Sequence, residues 1–125
     1  MMLALVTLGG AAGTLAGNPE RGEVAFQKCY ACHSVQPGET GLTGPNLSGV
    51  VGRAVASDAD FAYSDALEAL PARGYRTWTK AALDAFLSSP EDFAPGTAMT
   101  FVGMPSAGER ADLIAYLASH QAGRE

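Results

Sequence analysis

The sequence predicts an all-α fold, in which a few short helices are joined by long, glycine-rich loops. Apolar residues recur at helical spacing after residue 18, and no stretch alternates apolar and polar residues as a half-buried strand does. Residues 34–62 are dense in glycine and show neither a sustained helical periodicity nor a sustained strand alternation. Loops of this length inside a compact domain are usually functional or organised around something. So few regular elements cannot easily close a core unaided, which indicates an enclosed cofactor.

The first helix is predicted to begin at Asn18, because an N-cap side chain, a proline and an acid follow one another there. It should run through Phe26 towards the cysteines. Ser64 and Thr79 are predicted to cap two further short helices, each ended by the next proline along the chain.

The last helix has the strongest local signal, a capping box at Ser106 and Glu109. We expect the Ser106 hydroxyl to accept from the Glu109 amide and the Glu109 carboxylate to reach back to the Ser106 amide. An apolar stripe follows at helical spacing, formed by Leu113, Ile114, Tyr116 and Leu117. Before this helix, EDFAPGTAMTFVGMP is predicted to be irregular.

The composition limits the domain organisation and the partners. With 125 residues the chain forms one domain at most. Its net charge of -5 argues against nucleic acid or an anionic membrane surface as a partner.

The opening 17 residues carry no ionisable side chain. They are too short and too rich in Gly and Ala for a typical membrane span of roughly 20 apolar residues. They are similar to the apolar part of a secretory signal, with small residues at Ala16 and Gly17 suiting cleavage, although the usual positive start is missing. We therefore expect 1–17 to be a signal peptide or an uncleaved N-terminal membrane anchor, and 18–125 to form the folded domain.

The only two cysteines lie three apart in KCYACHSV, and His33 follows the second of them directly. A disulfide between Cys29 and Cys32 would close a tiny loop and contribute little stability. A zinc site needs four ligands, and only His33 and the remote His120 could complete it. A thioredoxin-like pair would follow a strand, which is absent from the prediction. The remaining interpretation of C-x-x-C-H is covalent attachment of a haem.

The geometry of a helical turn favours haem attachment. Residues three apart point to the same side of a helix, so Cys29 and Cys32 can each add to one of the two vinyl groups of a porphyrin. His33 would then lie under the ring centre, where its imidazole can bind iron.

The second iron ligand decides the chemistry, because an open position binds oxygen or peroxide whereas a thioether favours electron transfer. Met99 and Met104 lie in the second irregular stretch. Met104, beside Pro105, is expected to fill a gap in the core. Met99 lies in the turn PGTAM, which could present it inward, and the residues alone favour it only modestly.

Several segments in a fixed order resemble the class I c-type cytochromes, the family of mitochondrial and alphaproteobacterial cytochromes c. The segments are GEVAFQKCYACH, TGPNLSGVVGR, FAYSDA, YRTWT, PGTAMTF and ERADLIAYL. The resemblance implies the cytochrome c fold around one covalently bound haem c. It also implies a crossing of the terminal helices at Gly22, Phe26, Leu113 and Tyr116.

The resemblance implies a role for each residue of the haem site. Cys29 and Cys32 would form the thioethers, and His33 and Met99 would be the axial iron ligands. The Pro45 carbonyl would accept the His33 ring N–H and orient the ring.

The haem propionates would be buried beside Arg53, Tyr63 and Trp78, with Ser64 and Thr97 as further partners. A buried carboxylate needs such partners, because leaving it unpaired is costly.

The chain departs from the family pattern near the ligand and at the surface. Phe86 and Leu67 replace polar residues of many relatives, which should make the methionine side drier. Only two lysines exist in the chain, and Glu91, Asp92 and Ala98 stand where the mitochondrial relatives have lysines. Because electrostatic complementarity sets partner choice, we expect redox partners whose surface is not strongly acidic.

Two other groups of residues are expected to have no role at the haem. His120, near the end of the last helix, should interact with the helix dipole or be exposed. Arg73 and Arg76 should form a solvated face.

The sequence therefore predicts a monohaem, monomeric carrier of single electrons in the periplasm, and not an enzyme. It would act between respiratory or photosynthetic redox complexes or dehydrogenases and an oxidase or other acceptor. It would contact a membrane only if its leader were retained. The alternatives are a haem enzyme or gas-binding module in which Met99 is labile, and a structural metal-binding domain without haem.

Overall fold

The computed structural model describes residues 16–121 of the chain. The predicted leader therefore lies almost wholly outside the described residues. Among the described residues, no helix combines the length and the apolar character needed to span a bilayer.

The described residues form five α-helices and two short 3₁₀ turns, and the predicted all-α class is confirmed. The single β-type pairing among them is an isolated antiparallel bridge between Ala54 and Thr77. The helices are α1 Pro19–Ala25, α2 Asp65–Glu68, α3 Lys80–Ser88, α4 Pro90–Phe93 and α5 Ala107–Ala118, and the 3₁₀ turns are Phe26–Lys28 and Pro71–Arg73.

Each predicted cap is present, because the side chain of every predicted N-cap residue accepts from an amide three positions on. The acceptor–donor pairs are Asn18 with Arg21, Ser64 with Leu67, Thr79 with Ala82, and Ser106 with Glu109. Pro90 ends α3 as predicted, but it also begins the single-turn helix α4, which continues into the stretch predicted to be irregular. Proline suits this position because the first turn of a helix needs no N–H from it.

The second half of the predicted capping box does not form. The Glu109 carboxylate accepts instead from Lys28 Nζ at 2.7 Å. An ammonium group forms a charge-assisted bond that is stronger than a bond to a neutral amide. This ion pair joins α5 to the 3₁₀ turn that extends α1.

Helices α1 and α5 cross at Gly22, where the absence of a side chain lets the two helices come close together. A Cβ atom placed on Gly22 would overlap the Asp112 carbonyl oxygen and would lie 2.7 Å from Tyr116 Cβ. Beside this contact the Phe26 and Tyr116 rings pack with centroids 5.4 Å apart. The crossing predicted from the family resemblance is confirmed, and it fixes where the chain leaves α1 for the cysteines.

The apolar core lies between α3, α5 and the long loops. Its largest fully buried side chains include Leu70, Met104 and Leu113. Cys29, Trp78 and Phe86 belong to the same cluster, and Met99 packs at its edge. The core therefore reaches the residues predicted to surround a haem.

Candidate functional site

The cysteine turn continues directly from α1. The Tyr30 amide donates to the Phe26 carbonyl at 3.0 Å, and the His33 amide donates to the Cys29 carbonyl at 3.0 Å. Both cysteines are free thiols, with Cys29 buried and Cys32 exposed. One helical turn thus carries two thiols and an imidazole, as the spacing predicts.

The Cys29 thiol is protonated at neutral pH, since burial raises its pKa to about 11 even though Lys28 acts in the opposite direction. The thiolate is the form that binds metals, so zinc binding at Cys29 would have to displace this proton. Among residues 16–121, no three His, Cys, Asp or Glu side chains cluster as metal ligands would. Neither observation counts against haem attachment.

The His33 ring is held in a single orientation. Its Nδ1 lies 2.8 Å from the Pro45 carbonyl oxygen, and since a carbonyl only accepts, Nδ1–H donates this bond. Nε2 therefore keeps its lone pair, which is the form of histidine that binds a metal. Burial lowers the pKa of His33, opposed by the bond to Pro45, which favours the neutral ring.

Gly44 is a part of this arrangement that the sequence did not reveal. A Cβ atom at Gly44 would overlap the His33 ring, lying 2.8 Å from both ring nitrogens. The Gly44 amide also donates to the Cys32 carbonyl at 2.7 Å. The glycine before Pro45 in TGPNL is the sequence signal for this close contact. The sequence alone does not identify the ring that lies against it.

The two candidate methionines differ in burial. Met104 is 1% exposed, and its amide donates to the Leu87 carbonyl at 2.8 Å. It fills the core as predicted. Met99 is half-buried at the edge of the core, and its amide donates to Thr97 Oγ1 at 3.2 Å. Of these two methionines, Met99 alone offers a thioether that is not already enclosed.

Arg53 and Trp78 are fixed side by side by the backbone. The Trp78 amide donates to the Arg53 carbonyl at 2.8 Å, and the Gly52 amide donates to the Trp78 carbonyl at 2.7 Å. Arg53 Nη1 donates to the Ser48 carbonyl at 3.0 Å. Its Nε is buried without a hydrogen-bond partner. A buried donor of this kind requires an acceptor, and a carboxylate such as a haem propionate would supply one.

Tyr63 lies near this guanidinium. Burial raises the pKa of Tyr63, while the amide of Asp58 and the charge of Arg53 lower it. The Tyr63 hydroxyl oxygen accepts from the Asp58 amide at 3.0 Å, which leaves its proton available for a second acceptor. Ser64 caps α2 and Thr97 accepts from Met99, so both hydroxyl protons are also available.

Three aromatic rings form one wall of the core. The Trp78 and Phe86 centroids are 5.3 Å apart, and Phe93 lies 6.0 Å from Phe86. Phe93 was not predicted to take part in this wall, because it lies in the stretch predicted to be irregular. Arg73, predicted to be solvated, donates from Nη1 to the Phe93 carbonyl at 2.9 Å. Phe86 packs against the other two rings of this wall, which explains why an apolar residue occupies position 86.

Taken together, the chemistry of these residues fits an iron porphyrin. Two thiols on one turn, an imidazole with a free nitrogen and a half-buried thioether are groups to which such a cofactor could be attached. The unpaired Arg53 donor could partner its acid groups.

The His120 ring contacts Tyr116, its neighbour one turn back. The two rings meet edge to face with centroids 4.7 Å apart. The His120 carbonyl accepts from the Gly49 amide at 2.7 Å. This placement agrees with a structural role at the end of α5.

Comparison with known proteins gives one consistent result. The family model described as Cytochrome c matches residues 19–121. Cytochrome c2 of Rhodoblastus acidophilus is 38% identical over 107 residues, covering 86% of this chain and 96% of that protein.

Two solved structures share the fold. Cytochrome cH from Methylobacterium extorquens aligns with a TM-score of 0.73 at 38% identity, covering 82% of this chain and 99% of the other. Cytochrome c2 from Rhodospirillum centenum aligns with a TM-score of 0.76 at 36% identity, covering 83% and 98%.

Proposed function

The chain belongs to the cytochrome c family, and from this premise we propose that it shuttles single electrons between two redox proteins outside the cytoplasm. It is a monohaem electron carrier with one covalently attached haem c, and it is not an enzyme. The haem, when bound, supplies an iron that alternates between the ferrous and ferric states. The proposal concerns the residues that hold it, the compartment and the partners.

In the proposed site, Cys29 and Cys32 hold the porphyrin covalently, and His33 and Met99 bind the iron. The observation that carries this assignment is the bond from His33 Nδ1 to the Pro45 carbonyl at 2.8 Å. It leaves Nε2 unprotonated and aims it in one direction, as metal-binding histidines require.

Arg53, Tyr63 and Trp78 are proposed to receive the propionates, with Thr97 as a further donor. The unpaired Nε of Arg53 supports this role. The free hydroxyl protons of Tyr63 and Thr97 add two donors that need no rearrangement of the bonds they already accept.

An electron carrier is favoured over a ligand-binding haem protein because Met99 is held in place by its own loop and by the core. Its amide is tied to Thr97 Oγ1, and its side chain packs against the core. A thioether retained in this way would keep the sixth iron position closed. The apolar wall of Trp78 and Phe86 would exclude water and favour the less charged ferrous state.

The proposed compartment is the periplasm, reached through the export signal predicted at 1–17 or with that segment kept as a tether. Relatives named cytochrome c2 occur in bacteria such as Rhodoblastus acidophilus. We propose that the chain works as a monomer between respiratory or photosynthetic complexes or dehydrogenases and an oxidase or other acceptor.

The proposed partners have a surface that is not strongly acidic. Of the two lysines in the chain, Lys28 is already paired with Glu109 at 2.7 Å. Glu91 and Asp92 add negative charge at the start of α4. A strongly acidic partner would be repelled by these groups.

The test is to express the full chain together with a haem-maturation system and to denature the purified product. We expect the mass of one haem to stay with the polypeptide, and the ferric protein to show a weak band near the red end of the spectrum that reports iron–thioether bonding. The double variant Cys29→Ala/Cys32→Ala should release haem on denaturation. Colourless parent protein would contradict the proposal, and a coloured protein that lacks the red band and binds carbon monoxide would support the ligand-binding alternative.

A further inference from the structure

A groove of about 490 Å³ lies between α1 with its extension and the loop that follows the cysteine turn. Four of its lining residues, Glu23, Phe26, Gln27 and Tyr30, recur at the spacing that places side chains on one helical face. The opposite wall comes from residues 33–36, 39 and 42, and Tyr116 of α5 closes one side.

The groove combines an apolar floor with exposed apolar side chains. Phe26 and Val35 are buried, whereas Tyr30 is 66% exposed and Leu42 is 37% exposed. Single exposed apolar residues are ordinary on a protein surface. Tyr30 and Leu42 lie together on one concave surface with an apolar floor, where a partner's apolar side chain could cover both.

The groove is also negatively charged. Glu23 and Glu39 line it, and none of its lining residues is a lysine or arginine. The two cations of α1 and its extension are already paired elsewhere, since Arg21 lies 3.1 Å from Asp112 and Lys28 lies 2.7 Å from Glu109. The carboxylates of the groove therefore favour a cationic occupant.

His33 links this groove to the proposed electron carrier, because it is one of the lining residues. A partner in the groove would lie against the residue that is proposed to bind iron. The groove thus offers a short route for an electron, and its acidic and apolar residues would select which protein can use it.

We propose that this groove is a docking site for a redox protein that presents a lysine or arginine beside an aliphatic or aromatic side chain. The cation lies between Glu23 and Glu39, and the apolar group contacts Tyr30 and Leu42. Central apolar contacts supply most of the affinity in such interfaces, while charges set encounter rate and orientation. The inference rests on the proposed function, since it requires a haem behind His33.

The test uses the haem-loaded full chain and tris(1,10-phenanthroline)cobalt(III), a cation with apolar aromatic ligands. When it is mixed with the reduced protein, each cobalt(III) becomes cobalt(II) by gaining the one electron that the protein loses. The variant Glu23→Lys/Glu39→Lys should lower the second-order rate constant about tenfold at low ionic strength. The matched control Asp60→Lys/Glu68→Lys changes the net charge equally on other exposed residues, and should lower it by less than about threefold.

A second measurement locates the contact without electron transfer. In the oxidised protein, which cannot reduce the probe, addition of the cobalt complex should shift amide resonances of residues 23–42, and the Glu23→Lys/Glu39→Lys variant should abolish these shifts. Leu42→Ser, which changes no charge, should weaken both the shifts and the rate.

Three results would overturn the docking proposal while leaving the proposed function intact. These are equal rate losses in the two double variants, an unchanged rate in Glu23→Lys/Glu39→Lys, and a parent protein that sediments as a dimer which this variant converts to monomer. The last result would assign the groove to a second copy of the chain. A purified protein without haem would overturn the proposed function itself and this inference with it.

Discussion

The side chain at position 99 is the one on which the proposed chemistry depends most. Met99→Ala should lower the reduction potential markedly and remove the red band, because the iron would lose its thioether ligand. Titration against redox mediators, followed by visible spectroscopy, measures both effects.

Met104 provides the control, since it is the other methionine of the same loop. Met104→Leu conserves volume in a fully buried position, so the potential should stay close to that of the parent, and stability should fall by less than about 1.5 kcal/mol. If Met104→Leu rather than Met99→Ala removed the band, the assignment of the ligand would be wrong.

Ala56 is strained in its backbone. It is the one non-glycine residue with positive φ in the described part of the chain, with φ of 57°. This left-handed conformation costs an alanine about 1–2 kcal/mol, and glycine avoids most of that cost. Ala56→Gly should therefore raise the free energy of unfolding by about 1 kcal/mol, measured by urea titration of the haem-loaded protein. Ala54→Gly, two residues earlier, should not stabilise it, and equal gains in both variants would contradict the explanation.

At the level of helices, the crossing of α1 and α5 depends on a missing side chain. Gly22→Ala would place a methyl group against the Asp112 carbonyl oxygen, so the helices must separate. We expect a loss of about 1–3 kcal/mol in the free energy of unfolding, as for other overpacked contacts.

Gly108 is the matched control within α5. A Cβ there would have only Ser106 Oγ nearby, at 3.8 Å, and alanine is the better helix former by roughly 0.5–1 kcal/mol. Gly108→Ala should thus be neutral or stabilising in the same urea titration. A destabilised Gly108→Ala protein would show that the loss in Gly22→Ala is not due to the contact between helices.

The helices also show what local sequence signals could predict. The caps at Asn18, Ser64, Thr79 and Ser106 depend on residues within one turn, and all four form. Glu109 was mispredicted because its actual partner, Lys28, lies 81 residues away in the chain. Helix α4 was missed because its four residues carry no repeating apolar pattern.

For the whole molecule, Asp112 joins the two ends of the described chain. Its carboxylate accepts from the Asn18 amide at 2.8 Å and from Arg21 Nε at 3.1 Å. The Asn18 amide, followed by Arg21, holds the pKa of Asp112 below its usual value of 3.8. A group whose pKa is lowered by folding stabilises the protein above its unfolded pKa and loses that contribution as the pH falls through the folded pKa.

Asp112→Asn should therefore destabilise the protein at neutral pH. The difference from the parent should shrink as the pH falls below 3.8, because the parent carboxylate is then protonated as well. Thermal unfolding of both proteins at a series of pH values measures this. A difference between Asp112→Asn and the parent that stays constant at every pH would contradict the explanation.

The haem site as a whole was predictable only in parts. The cysteine turn follows from spacing, but the choice of Met99 over Met104 needed the family resemblance, because both lie in one loop without a period. The roles of Gly44 and Phe93 could not be predicted, because each depends on contact with a ring that belongs to another segment of the chain. The pairing of Arg53 with Trp78 is set by long-range backbone bonds, which no local signal reports.

The contacts that hold the His33 ring have a consequence for how fast the protein can exchange electrons. With Gly44 against one side of the ring and the Pro45 carbonyl holding Nδ1–H, the imidazole plane has no freedom to turn. If His33 binds the iron as proposed, a bond geometry that is the same before and after the exchange would need little nuclear rearrangement, so this residue would add little to the activation barrier. Any larger residue at position 44 would tilt the plane and slow self-exchange, even with every iron ligand still in place.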